Sequence, residues 1–373
     1  MNRDMAALDA LKGLSALAFA LAAWSAFTPW AEAPGFERFH LFIDFFFVAS
    51  GFVLAGVYRG RIASLADLGA FAALRFARLY PIHLFYLLPL IAVEGIKLAQ
   101  GALGDPSPVF ADANLSVEGL AAHLTLTQAF GLVDNPGWNE AAWYIAAEFW
   151  VACLFALACL AGLMDTATGR AGLFIAMLFA AGWLVGEGRM LDHENGGAFA
   201  RAVYGFGAGV TAHSLMKVRA VAAALDWAKR EWPATAEALA IIGGCWFFVA
   251  AEGVAVYAAP LVFAGLAMIF VDGRGLASLI LRTSPFRLLG VYALSIYMSH
   301  FLIILPLRLV AERSGLDHVA EFAAFGVGFY LVLTIIMAMT TEALVEAPAR
   351  AAVERWLSAR RWAARQVSGW LAA

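Results

Sequence analysis

"LDALKGLSALAFALAAWSAF", residues 8 to 27, is the stretch whose reading decides the fold. From Gly13 to Ala31 no residue carries a charge. A helix needs about 20 mostly apolar residues to cross a bilayer core, so this run is long enough. It has no small-residue cleavage site with a polar follow-on, so it is expected to be the first span and not a cleaved leader. The rest of the chain has the same character. Of its 373 residues, 63% are hydrophobic and 14% charged. A soluble globular domain has about 45–50% and about 25%. Ten segments are candidate spans: 8–27, 39–57, 79–98, 140–163, 171–187, 199–216, 234–251, 253–271, 287–309 and 320–345. The seventh and eighth are separated only by "AEGVA". The sequence therefore predicts an all-α, polytopic membrane protein. One bundle covers residues 1–350, and a basic amphipathic tail covers 351–373. The three cysteines (Cys153, Cys159, Cys245) all lie in apolar runs and form neither a CxxC pair nor a disulfide framework.

Orientation follows from Lys and Arg, which accumulate on cytoplasmic loops. Alternate flanks of the ten segments hold 18 and 6 of them, and Lys12 completes the 25. The richer set includes Arg59, Arg61, Arg75, Arg78 and Arg350; the poorer includes Arg38, Lys97 and Arg201. Both termini are expected in the cytoplasm, and the acidic connection 99–139 outside. The tail is expected to lie along anionic lipid of the inner leaflet, the plain alternative being a solvated tail.

Ionisable groups inside spans are costly and usually mark function. On the first span, Asp9, Lys12 and position 23 fall within roughly 60° of one face at about 100° per residue. Position 23 is then roughly 16 Å further out than Lys12. Lys12 is expected to pair with Asp9 or a phosphate, or else to snorkel to the headgroups. Asp44 sits among five phenylalanines at the depth of position 23, and needs a partner. Ser50-Gly51 permits a close helix approach or a kink. Arg75 and Arg78, three apart, share a helix face, and their forked donors suit a phosphate-bearing ligand; positive-inside bias would also account for them. Tyr80-Pro81 reads as a turn or kink, with His83 just inside. Glu148 lies near mid-membrane with Tyr144 on its face and Trp143 close by. His300 is a mid-span candidate for proton handling. Glu346, Pro348 and Arg350 read as a packed helix end. By depth the groups form a ladder, with Arg75, Arg78, Lys12 and His83 innermost. Glu148 and His300 lie midway, and Asp44 lies outermost. They supply no metal-ligand set, and the chain has no Gly-rich phosphate loop, no nucleophile elbow and no nucleic-acid surface.

The blocks "LDALKGLSAL", "IDFFFVASGFVL", "RFARLYPIHLF", "NPGWNEAAWYIAAEFW", "LLGVYALSIYMSH" and "EAPAR" occur in that order between residues 8 and 350. Together they resemble acyltransferase family 3. The resemblance implies a ten-helix fold in the inner (cytoplasmic) membrane of a bacterium. It implies transfer of an acyl group, often acetyl, from cytoplasmic acyl-CoA to a hydroxyl of a sugar or other acceptor, without a metal. It places Arg75 and Arg78 at the CoA phosphates and Glu148 at the carboxylate of the W-S-x-S-x-E block. Lys12 stands ten intervening residues before the family's expected catalytic histidine. Here that position is Ala23, and Tyr144 and Ala146 stand where serines are usual. A base of that kind contributes about 10²–10⁴-fold, so Ala23 leaves three readings. The histidine has been replaced, or His300 or Asp44 serves instead, or catalysis is lost and binding kept. Lys12, Tyr144, Trp143 and His83 complete the expected site. A transporter or flippase for a polar lipid, or a non-catalytic binding partner, are the rival readings. The acyl group, acceptor and oligomeric state stay open.

Overall fold

A computed structural model describes residues 5–24, 36–102, 115–133, 137–188, 197–315 and 320–359. Among them there are helices and turns and no strand. The helices are α1 (Ala6–Ala23), α2 (Phe42–Tyr58), α3 (Leu65–Ala102), α4 (Val117–Thr125) and α5 (Trp143–Leu160). Next come α6 (Ala167–Glu187), α7 (Gly197–Leu215), α8 (Arg219–Glu231), α9 (Pro233–Ala250) and α10 (Ala259–Phe270). The last five are α11 (Leu276–Leu281), α12 (Ser284–Val291), α13 (Ala293–Ser314), α14 (Ala320–Thr341) and α15 (Ala347–Ala359). Eight described helical segments are long and apolar enough to cross a membrane, and α12 with α13, bent by 68°, makes a ninth as one broken span. This is a multi-pass membrane protein. Nine of the ten expected spans fall on these segments; the sixth, 199–216, falls on α7, which is helical but is not among them.

Helices in lipid gain little from burying apolar groups against each other, so close packing of small residues takes over. α1 buries Ala6, Ala7, Ala10, Gly13, Ala16 and Ala20. A Cβ on Gly13 would strike the backbone of Leu289 and Gly290, and one on Gly290 would strike the backbone of Asp9. The two glycines thus let α1 and α12 meet backbone to backbone. α2 and α7 cross in the same way: Gly51 abuts the backbone of Phe206, and Gly209 abuts Val48 and Phe52. α7 is lined by α2 on one side and by Met177 of α6 on another. That enclosure explains why a helix carrying Arg201 need not be apolar all round.

Several local expectations change. Pro81 and Pro89 both lie inside α3, which starts at Leu65 and does not turn at Tyr80. The stretch after α7 contains an amphipathic helix, α8, with Trp227 exposed, where the sequence suggested only a flank. The ninth span is broken at Tyr292. Arg38, counted as an outer-flank charge, donates to the carbonyls of Phe248 (2.7 Å) and Val249 (3.0 Å). It thereby satisfies free carbonyls at the C-terminus of α9. Residues 103–114 and 134–136 of the 99–139 connection and all of the tail beyond Ala359 lie outside the described residues.

In the described part of that connection, His123 of α4 stacks on His83 of α3, with ring centroids 5.6 Å apart and planes at 13°. His83 Nε2 donates to the His123 carbonyl and His123 Nε2 to the Gly137 carbonyl, both at 2.9 Å. Burial, and then the neighbouring His83, push His123 down to about 3. Between that value and the ordinary one of about 6.5, the unfolded chain binds the extra proton. Stability from neutral His123 is therefore complete above about pH 6.5 and drains as pH falls toward 3, by at most about 1.4 kcal/mol per pH unit. Melting temperature in detergent should drop between about pH 7 and about pH 5. His123→Gln should flatten that drop, and an unchanged slope would show that the group is not responsible.

Candidate functional site

Four helices and the C-terminal turn converge on one chamber. α1 supplies Lys12, α2 Ser50, α3 Arg75 and Arg78, α5 Tyr144 and Glu148, and the segment after α14 Glu346 and Arg350. The kinked α12–α13 junction closes it with Gly290 and Leu294. Its space is about 60 Å³, room for a few waters or a slender chain.

Spacing on each helix explains the convergence. Arg75 and Arg78 are three apart on α3, so one face brings both inward. Tyr144 and Glu148 are four apart on α5, with the same result. Ser50 precedes Gly51, whose close contact with Phe206 fixes the rotation of α2. Ser50 Oγ then donates to Glu148 Oε1. Arg75 Nη1 lies 3.9 Å from the same oxygen. Glu148 Oε2 is buried with no hydrogen-bond partner. Lys12 Nζ is 2.6 Å from Asp9, so the opening acid and base of the first span pair with each other, while Lys12 also faces the chamber. Arg78 makes no ion pair within 4 Å among the described residues. Toward the chamber, four cations face two carboxylates. In a low-dielectric setting such an excess favours an anionic ligand.

The expected ladder divides here. Its inner rungs, Lys12, Arg75, Arg78 and Glu148, share the chamber, and Tyr144 joins them. Its other members do not line it. Asp44 is bound in a bidentate pair by Arg201 of α7, at 2.7 and 2.8 Å, with both side chains almost fully buried. Arg201 also donates to the His40 carbonyl at 3.3 Å and lies 5.5 Å from the Trp143 ring centroid. Trp143 thus covers an arginine. The sequence count placed Arg201 in an outer flank; it is the counter-charge that Asp44 needed. His83 is buried against His123. His300 is buried too, with Nδ1 donating to the Tyr297 carbonyl and Phe19 edge-on at 5.3 Å. Ala23 closes α1, where Trp24 stacks on Tyr330 and the Tyr330 hydroxyl donates to Ala20 at 3.1 Å. Sequence reasoning missed Ser50 as a partner of Glu148, and took Glu346 and Arg350 for packing. Only a contact across ninety-eight residues reveals the first.

Fold and site together define a multi-pass helical membrane protein built around a buried, cation-rich chamber. A family model described as an acyltransferase domain (Acyl_transf_3) matches residues 5–341. The chain belongs to acyltransferase family 3, and is a membrane acyltransferase by that membership. No curated protein and no solved structure matches it.

The Asp44–Arg201 pair gives a direct test of this division. Removing one partner of a buried pair leaves a naked charge and costs about 3–5 kcal/mol, whereas replacing both with apolar or neutral groups costs far less. Asp44→Asn should therefore lower thermal stability sharply, and Asp44→Asn with Arg201→Met should recover most of the loss. Equal losses in single and double variants would mean that the pair is ordinary packing.

Proposed function

We propose that this chain moves an acyl group, in the simplest case acetyl from acetyl-CoA, to a hydroxyl of a sugar or other acceptor at or beyond the membrane. The carrying observation is the chamber itself: Lys12, Arg75 and Arg78 line one space with Ser50, Tyr144 and Glu148. The Lys/Arg bias puts these cations at the cytoplasmic end, where acyl-CoA is found, and a bacterial inner membrane fits that bias. Acyl-CoA is a substrate here and no metal is invoked. The guanidiniums suit its phosphates. A space of about 60 Å³ admits the thioester-bearing arm and keeps the nucleotide outside.

Chemically, the acceptor oxygen attacks the thioester carbonyl; a C–O bond forms and the C–S bond breaks. The hydroxyl proton passes to Ser50 Oγ as the Ser50 proton moves to Glu148 Oε1, along the existing hydrogen bond. The same route returns one proton to the departing sulfur. Lys12 and Tyr144 orient the carbonyl. Asp44 is occupied by Arg201 and His300 does not line the chamber, which weakens both as substitutes for the histidine absent at position 23.

Purified protein in detergent, given acetyl-CoA, should bind it and release thiol slowly. Ser50→Ala should lower kcat about 10-fold or more while leaving KM for acetyl-CoA nearly unchanged, and Ala23→His, roughly 16 Å of helix beyond Lys12, should leave turnover near the parent's; a gain of about 10²-fold would move the proton path from Ser50 and Glu148 to position 23. Absence of binding and of thiol release in every form would defeat the proposal. Ala23 itself favours a second reading, a transporter for a polar lipid or carbohydrate-linked substrate. Substrate flux in proteoliposomes without any CoA would select it.

A further inference from the structure

The chamber's fourth cation comes from a segment whose sequence reads as a packed helix end. α14 stops at Thr341, the five residues Glu342–Glu346 form one π-helical turn, and α15 begins at Ala347. Single π-turns inside α-helices are rare and occur frequently at functional sites. Pro348, just beyond the turn, has no N–H to give the Leu344 carbonyl inside it, and contacts from other helices meet both of its ends. At its start the Tyr86 hydroxyl meets Thr341 Oγ1 at 2.8 Å. At its end Ser295 Oγ donates to Glu346. Arg350 Nη2 donates to Glu342 and so bridges the turn from α15. Of these residues, Glu346 and Arg350 line the chamber.

Arg350 is also the most exposed of the chamber's paired cations. Its side chain is 37% exposed, against 16% for Lys12 and 12% for Arg75. That places it at the mouth, where a group too bulky for the interior would rest. Glu342 holds it from behind through one nitrogen. A guanidinium has five donors in a planar fork, so the rest stay available for a second anion.

We propose that Arg350, aimed by the π-turn, is a further donor-binding residue that grips the phosphate-bearing end of acyl-CoA at the chamber mouth. This rests on the donor reading given above. The pair with Glu342 then sets the fork's direction before the ligand arrives, and Glu346 borders the path that the arm follows inward.

The test compares binding of CoA and of phosphate-free pantetheine to the full-length protein by calorimetry. Arg350→Ala should weaken CoA about 10-fold or more, with Arg350→Lys between it and the parent. Pantetheine binding should stay unchanged in both. Glu342→Gln removes the competing charge but keeps an oxygen that can still accept from Arg350, so the fork stays aimed and CoA affinity should hold or rise. If Arg350→Ala binds CoA like the parent, the inference falls while the donor reading stands. If Arg350→Ala, Arg350→Lys and Glu342→Gln all lose affinity and melting temperature in parallel, Arg350 is a strut and the inference falls as well. If the parent protein itself does not bind CoA, the donor reading fails and takes this inference with it.

Discussion

Arg75 of α3 lies 3.9 Å from Glu148 of α5, and Ser50 of α2 donates to the same carboxylate. Ionised groups inside a lipid-bound bundle are tolerated where they meet one another or a polar cavity, and hardly anywhere else. This three-helix junction meets that condition, and it constrains everything near it. It fixes the rotation of α2, which the close approach of Gly51 to α7 fixes independently. It also fixes α5, so that Tyr144, one turn before Glu148, must face the same space. Lys12 completes the ring because α1 is pressed against α12 through Gly13 and Gly290. The packing of small residues and the pairing of charges are thus one arrangement seen twice.

Two buried charge systems result, and they differ in kind. Asp44 and Arg201 form a closed pair with two hydrogen bonds and aromatic cover from Trp143. Such a pair is satisfied internally, and its attraction offsets the desolvation of both ions only with that good a geometry. The chamber system is open by comparison. Asp9 and Glu342 balance Lys12 and Arg350 from behind, Glu148 stands far from ideal contact with Arg75, and Arg78 has no ion pair among the described residues. Unspent donors directed at a partly enclosed space are what an anionic substrate requires, whereas a structural pair leaves none.

The fold was legible because the signal for a span is long and local. Residues 8–27 and eight of their nine counterparts show it within about 20 residues, the exception being 199–216, which forms α7. Spacing also revealed which residues share a helix face, so Arg75 with Arg78 and Tyr144 with Glu148 could be grouped in advance. What could not be read was partnership between helices. Nothing near Asp44 names Arg201, which is 157 residues away and looks like a loop cation when loops are counted. The π-turn was legible only in part: "EALVE" itself has no Gly or Pro, Pro348 just beyond it removes a backbone donor, and the contacts at its two ends come from Tyr86 and Ser295 on other helices. Depth from the membrane surface, the basis of the expected ladder, orders residues along one axis. It cannot tell whether two groups at similar depth face one cavity or two.

Position 23 is where sequence and geometry bear on each other most directly. Beyond Lys12, the described part of α1 carries only Ser15 as a polar side chain up to Ala23. That interval is roughly 16 Å of helix, and its outer end is packed by Trp24 and Tyr330. A proton route from the chamber toward His300 would pass Tyr144 and Tyr297, whose rings stand 5.5 Å apart, with Tyr297 5.6 Å from His300. The Tyr297 hydroxyl, however, donates to the Ala141 carbonyl at 2.8 Å, so the chain of hydrogen bonds does not run through it. On the proposed reading, acid–base chemistry in this chain therefore belongs at the inner end, where a serine hydroxyl and a carboxylate already share a proton path. An acceptor would have to reach that depth to meet the thioester, which favours a slender or membrane-borne hydroxyl over a bulky glycan held outside.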